Sequence, residues 1–137
     1  MSIFPALAGG PRTGTLPAMT QAKDAVGAYG ERVALGHLLA QHMVLLDRNW
    51  RGAAGELDLV LRDGDTIVFC EVKTRRGNRF GEPVEAVVAA KVRRMRRLAA
   101  QWLAESGVRP ERVRFDVVSV RPQRSGRAHV EHLRGAF

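Results

Sequence analysis

From about residue 23 onward the spacing of apolar positions switches between helical and strand periods, and each switch marks an element. Asp24 to Gln41 repeats at helical spacing, with an acidic residue near its start. Met43 to Trp50 is strand-like and runs out into polar turn residues. Leu57 to Arg62 and Thr66 to Lys73 are two more strands, joined through Asp63-Gly64, a strong short hairpin signal. Pro83, whose fixed φ suits a first helical turn, opens a long helix that reaches about Glu105 and is stopped by Gly107 and Pro110. Val113 to Val120 is a further strand, and Arg127 to Leu133 is a weak last one. The order helix, three strands, helix, strand predicts an α/β (α+β) domain with a sheet flanked by helices.

The same patterning shows where charge intrudes on a core. Thr66 to Lys73 is apolar enough to be buried on both faces until Glu71 and Lys73 interrupt its end, and these two share one face because strand neighbours alternate. With Asp63 and Gly64 as the turn, Asp58 faces Phe69 and Glu56 faces Glu71, so Glu56, Asp58, Glu71 and Lys73 cluster on one face. Asp58 and Glu71 are then diagonal neighbours, about 7–8 Å apart at Cα. At a separation of ~6 Å and an effective dielectric of ~20, one pair of like charges costs roughly 3 kcal/mol. One lysine offsets part of this, and a divalent cation would offset all of it. All-oxygen donors without His or Cys point to Mg²⁺ or Mn²⁺. The competing reading is a buried lysine–carboxylate network without chemistry.

Helical spacing adds two residues to this picture. The long helix carries an apolar stripe of Val84, Val88, Val92, Met95, Ala99 and Trp102, with Arg93, Arg94, Arg96 and Arg97 fanned over the opposite side. Lys91 falls inside the stripe, so it either snorkels to the edge or reaches toward the charged patch. In the first helix Glu31 lies in a stripe with Leu35, Leu38 and Leu39, although Val26, Tyr29 and Val33 make a second apolar side.

Composition narrows the partners. The chain has 137 residues, 45% of them hydrophobic, enough for one domain with one core. With 22 Lys+Arg against 14 Asp+Glu the net charge is +8, which favours a polyanionic partner, most often nucleic acid. Lys73 to Arg97 alone holds nine basic residues (Lys73, Arg75, Arg76, Arg79, Lys91, Arg93, Arg94, Arg96 and Arg97) against Glu82 and Glu85. Most are arginine, suited to bidentate phosphate contacts; the plainer reading is a solvated helix face. Cys70 is the only cysteine, which excludes an internal disulfide framework and Cys-based zinc sites. No run of 18 apolar residues is present, so no membrane span is expected. Residues 1–22 are rich in Pro and Gly and lack any period, and are expected to form a disordered tail before a single domain over 23–137. They make a poor signal peptide, and with a lone thiol the default location is cytoplasmic; Met19 is a second candidate start.

Asp58 followed across a hairpin by Glu71-Val72-Lys73, behind a helix bearing Glu31, resembles the PD-(D/E)XK restriction-endonuclease-like superfamily, whose core has this element order. More closely, the chain resembles the YraN family of small bacterial proteins, related to Holliday-junction resolvases. The matching pieces are Gly30-Glu31, Asn49-Trp50-Arg51, Gly55 to Leu59, Phe69 to Arg75, Phe80-Gly81, Pro83, Lys91, Phe115 to Val118 and Ala136-Phe137. Leu57 stands where the superfamily's name has proline. The resemblance implies that Asp58, Glu71, Glu31 and the carbonyl of Val72 hold Mg²⁺ or Mn²⁺, with Glu56 behind them. It implies that Lys73 positions the attacking water and stabilises charge on phosphate. The expected activity is metal-dependent hydrolysis of DNA, on branched or single-stranded forms, with Arg75, Arg76, Arg79, Lys91 and the four helix arginines binding the nucleic acid. A homodimer is compatible with these features.

Two alternatives remain open: a non-catalytic nucleic-acid-binding accessory with a nuclease fold, and a basic protein-interaction module. His37, His42, His129 and His132 show no pattern that joins them to the carboxylates, and His37 and His42, five apart, do not share a helix face. Cys70, Phe69 and Trp102 read as core. Asp116, in mid-strand, is ambiguous, with an arginine partner as one reading.

Overall fold

A computed structural model describes residues 25–75 and 84–137, with side chains in the second of these segments from residue 89 onward. The expected tail, the alternative start at Met19, and Arg76, Arg79, Phe80, Gly81 and Pro83 lie outside the described residues. The elements are α1 (Ala25–Ala40), β1 (Val44–Gly52), β2 (Gly55–Asp63), β3 (Thr66–Thr74), α2 (Val84–Ser106), β4 (Arg112–Arg121) and β5 (His129–Leu133). They form one five-stranded sheet in chain order, β1-β2-β3-β4-β5. Neighbours are antiparallel except β3 and β4, which run parallel because α2 carries the chain back between them. The expected mixed sheet flanked by helices is therefore present.

Helix ends follow local chemistry. α1 closes with Met43 N–H donating to Leu38 O and His42 N–H to Leu39 O, the 6→1 and 5→2 bonds of a Schellman cap, with His42 in the left-handed region at φ 70°. Gly107, at φ 74°, ends α2 as its sequence position predicts.

Two cores sit on either side of the sheet. Ala34 and Leu38 of α1 pack with Leu59, Leu61, Val68, Cys70, Val118 and Val120. Met95, Leu98, Ala99 and Trp102 of α2 pack with Trp50, Leu57, Val60, Ile67 and Phe69. Thr66 to Cys70 is buried on both faces, as its unbroken apolar run requires. Cys70 faces α1, and burial pushes its thiol pKa up, so it is an inert core residue. The α1 stripe differs from expectation. Gly30, Ala34 and Leu38 are its buried line, whereas Leu39 is 44% exposed.

Gly30 lets α1 lie directly on β3. A Cβ at this position would overlap Thr74 Oγ1 and stand 2.9 Å from Thr74 Cβ. Gly30→Ala should therefore destabilise the protein by about 1–3 kcal/mol in urea melts. Alanine's ~1 kcal/mol advantage in helix propensity does not offset a clash with a neighbouring strand.

The hairpin between β2 and β3 corrects the predicted register. Asp63 pairs with Thr66 and Leu59 with Cys70, so the two loop residues are Gly64 and Asp65, not Asp63 and Gly64. Gly64 has φ 63° and Asp65, the second loop residue, stays outside the left-handed region, which is the type II′ solution with glycine first. The offset is two residues, so every side chain keeps its predicted face while its partner changes.

Candidate metal centre and basic face

The β2–β3 ladder stops at Leu59↔Cys70. One step further, the corrected register sets Asp58 opposite Glu71 instead of on the diagonal. There the strands part, and the Val72 N–H donates to Asp58 Oδ2 at 2.8 Å. A side chain thus replaces a backbone partner at the fork, which fixes the Asp58 carboxylate beside the end of β3.

Three carboxylates converge at this fork. One oxygen each from Glu31, Glu56 and Asp58 lie within 4.8 Å of one another. Burial, and then the charges of Glu71 and Glu56, push the Asp58 pKa up to about 6, against the opposing effects of the Val72 N–H and Lys91. The Glu71 carboxylate itself is paired with Lys91 Nζ at 2.8 Å, both side chains being largely buried. Lys91 therefore reaches the charged patch instead of snorkelling away from it. Lys73 is half-buried and shares the Glu71 face by strand alternation.

The hairpin pattern puts Glu56, Asp58, Glu71 and Lys73 on one face, and Glu31, which the family resemblance adds, comes across from α1 to join Glu56 and Asp58. Glu56, expected behind the ligands, stands among the three converging carboxylates. Asn49, a matching residue to which the sequence assigns no role, supports this cluster. Its Nδ2 donates to Glu31 Oε1 at 3.1 Å from a backbone at φ 50°. Asparagine tolerates that conformation better than most residues, which is the signal its sequence position offers. The donor set of three carboxylates, one with a raised pKa, fits a hard dication such as Mg²⁺ or Mn²⁺.

Arg93, Arg94, Arg96 and Arg97 are all exposed, on the side of α2 away from Met95, Leu98 and Trp102. Arg94 lies along Gly55, with its Cδ 3.6 Å from where a Cβ would stand, and Arg96 lies over the Phe115 ring at 6.0 Å. The basic face thus borders the β1–β2 turn. Among the described residues no helix is long and apolar enough to cross a membrane.

Among the described residues no histidine joins Glu31, Glu56 and Asp58, but one meets a carboxylate elsewhere in the sheet. His132 Nε2 lies 2.8 Å from Asp116 Oδ2, so one histidine does meet a carboxylate. Asp116 is fully buried and also accepts from both Nε and NH2 of Arg114, at 2.8 and 3.0 Å, and from the Gly135 N–H at 3.0 Å. Burial alone would raise its pKa, but these donors hold it below the usual carboxylate range. The arginine reading of Asp116 is the observed one, and strand pairing hid the histidine, which comes from the neighbouring β5.

Comparison with known proteins matches residues 30–120 to the uncharacterised protein family UPF0102. A UPF0102 protein of Frankia alni is 62% identical over 117 residues, covering 85% of this chain and 98% of the relative. Another, from Beutenbergia cavernae, is 58% identical over 115 residues, covering 84% and 98%. A third, from Frankia casuarinae, is 56% identical over 117 residues, covering 85% and 99%. The matched span takes in Glu31, Glu56, Asp58, Glu71, Lys73 and Lys91 together, and the chain belongs to the uncharacterised family UPF0102, the YraN group that its motifs resemble.

Proposed function

We propose that this protein is a metal-dependent endonuclease that hydrolyses DNA phosphodiester bonds, acting on branched or single-stranded forms. The observation that carries the reading is the convergence of Glu31, Glu56 and Asp58 oxygens within 4.8 Å, with the Asp58 pKa raised to about 6. Carboxylates left in mutual repulsion are a poor structural solution and a good cation site.

Glu31, Glu56 and Asp58 would hold Mg²⁺ or Mn²⁺, with Glu71 and the Val72 carbonyl at the border of the site. Such an ion supplies Lewis acidity and a template for water and phosphate. Asn49 holds Glu31 in place through its amide. Val72 N–H does the same for Asp58. Lys73 orients the attacking water and stabilises charge on the phosphate. Lys91 neutralises Glu71 and so limits the negative charge that an approaching phosphate meets.

The test is incubation of purified protein with linear, flapped and four-way-junction DNA, with Mn²⁺ and with chelator. Cleavage should need the metal. Binding without cleavage on every substrate would favour the accessory reading instead. Neutralising Arg93, Arg94, Arg96 and Arg97 together should weaken binding to all DNA sequences alike. It should also flatten the dependence of log affinity on log salt by about 0.9 for each duplex phosphate that these side chains no longer neutralise. An unchanged slope in a salt titration would show those arginines to be a solvated surface only.

A further inference from the structure

At the C-terminal end of α1, away from the carboxylate fork, two imidazoles converge on one atom. Gln41 Nε2 lies 2.6 Å from His37 Nε2 and 3.4 Å from His132 Nδ1. The two rings meet edge to face, with centroids 5.4 Å apart. The other end of the Gln41 amide accepts from Arg134 NH2, which turns the amide nitrogen toward the rings. Both ring nitrogens facing Gln41 therefore present lone pairs. His132 Nε2 meets Asp116 Oδ2 at 2.8 Å, so Nδ1 is the ring nitrogen that faces Gln41. A carboxylate behind an imidazole is the usual support of a metal-binding histidine.

We propose that His37 Nε2 and His132 Nδ1 form a binding site for a borderline transition-metal dication, Zn²⁺ or Cu²⁺, at the position held by the Gln41 amide nitrogen. Imidazole nitrogens suit these ions and not Mg²⁺ or Mn²⁺, so the site differs in chemistry from the carboxylate fork and stands whether or not the protein is a nuclease. Metal–nitrogen bonds of about 2.0–2.1 Å require only that the Gln41 amide swing aside and the rings close on the space it leaves. Arg134 opposes a cation here, but its guanidinium lies 3.7 Å from Asp63, and Asp116 adds buried negative charge behind His132. The remaining positions fall to water. A bound ion would tie α1 to β5.

Titration of the full-length protein with Cu²⁺ in excess Mg²⁺, followed by electron paramagnetic resonance and calorimetry, tests this. One ion should bind with nitrogen superhyperfine coupling. His37→Ala, on a half-buried helix position that tolerates truncation, should weaken binding at least tenfold, as should His132→Asn. Gln41→Ala removes the present occupant without removing a ring and should bind at least as tightly as the wild type. His129→Ala should change nothing. An oxygen-only spectrum, or wild-type affinity in folded His37→Ala, would overturn the proposal, the latter by showing that the ion sits on other surface histidines.

Discussion

Glu71→Gln and Lys73→Ala should each lower Mn²⁺-dependent DNA cleavage by about 10²–10³-fold while leaving thermal stability near that of the wild type. Glutamine keeps the shape of Glu71 but removes the charge that meets Lys91 at 2.8 Å and that bears on Asp58 across the fork. Lys91 is 21% exposed, so its ammonium can turn to water in the variant instead of being stranded. Lys73 contributes a positive charge on the same face. Its loss should appear in turnover, with DNA affinity changed little, because the proposed function assigns phosphate affinity along the duplex to the α2 arginines. Single-turnover cleavage beside binding isotherms separates the two. Full activity in both variants would remove these residues from the catalytic assignment.

Asp58→Asn should raise metal-free stability by up to ~3 kcal/mol at neutral pH, an unusual direction for a buried substitution. A pKa moved from 3.8 to about 6 means that the folded state resists ionising this group. At about 1.36 kcal/mol per unit, the ionised carboxylate costs ~3 kcal/mol above pH 6. The stabilising contribution of the protonated form is complete below pH 3.8 and is lost as pH rises through 6. In chelator the stability difference between variant and wild type should therefore be small at pH 4 and grow toward pH 7. Asparagine still offers an oxygen to the Val72 N–H. Millimolar Mn²⁺ should reverse the order, because it stabilises only the protein whose carboxylate can bind it. A structural ion network behaves oppositely, losing ~3–5 kcal/mol on substitution with or without metal. Melts of both proteins across that pH range, in chelator and in Mn²⁺, decide between the two.

Elements with strong local signals are legible in the sequence. The apolar run Thr66 to Cys70, the stop at Gly107 and the arginine side of α2 all appear where their patterns place them, because each depends on neighbours a few residues away. The hairpin is legible by face but not by register. Asp63-Gly64 and Gly64-Asp65 are both plausible two-residue loops, and only the backbone shows that glycine takes the first position. Of the carboxylate cluster, Asp58 and Glu56 follow from that hairpin, whereas Glu31 depends on how α1 lies on β3, which the close approach at Gly30 determines. Periodicity leaves the choice for Lys91 even, since an ion pair with Glu71 is a tertiary fact. The Asp116–His132 contact is beyond its reach for the same reason. It depends on β5 pairing with β4, and β5 has the weakest strand pattern in the chain.

The parallel pairing of β3 with β4 has a consequence for the order in which the molecule assembles. The β2–β3 hairpin closes over two residues and can form within microseconds, bringing Asp58, Glu71 and Lys73 together while the chain is otherwise open. Pairing β3 with β4 must wait for the whole crossover through α2 to close, a slower event governed by loop entropy. Lys91 arrives only with that crossover, and Glu31 only when α1 docks through Gly30. Until then the hairpin carries its acidic end without its compensating ammonium and without the third carboxylate. A nascent chain is thus kept from completing the cluster before its core has formed, and under the proposed function a cation would reward only the finished fold.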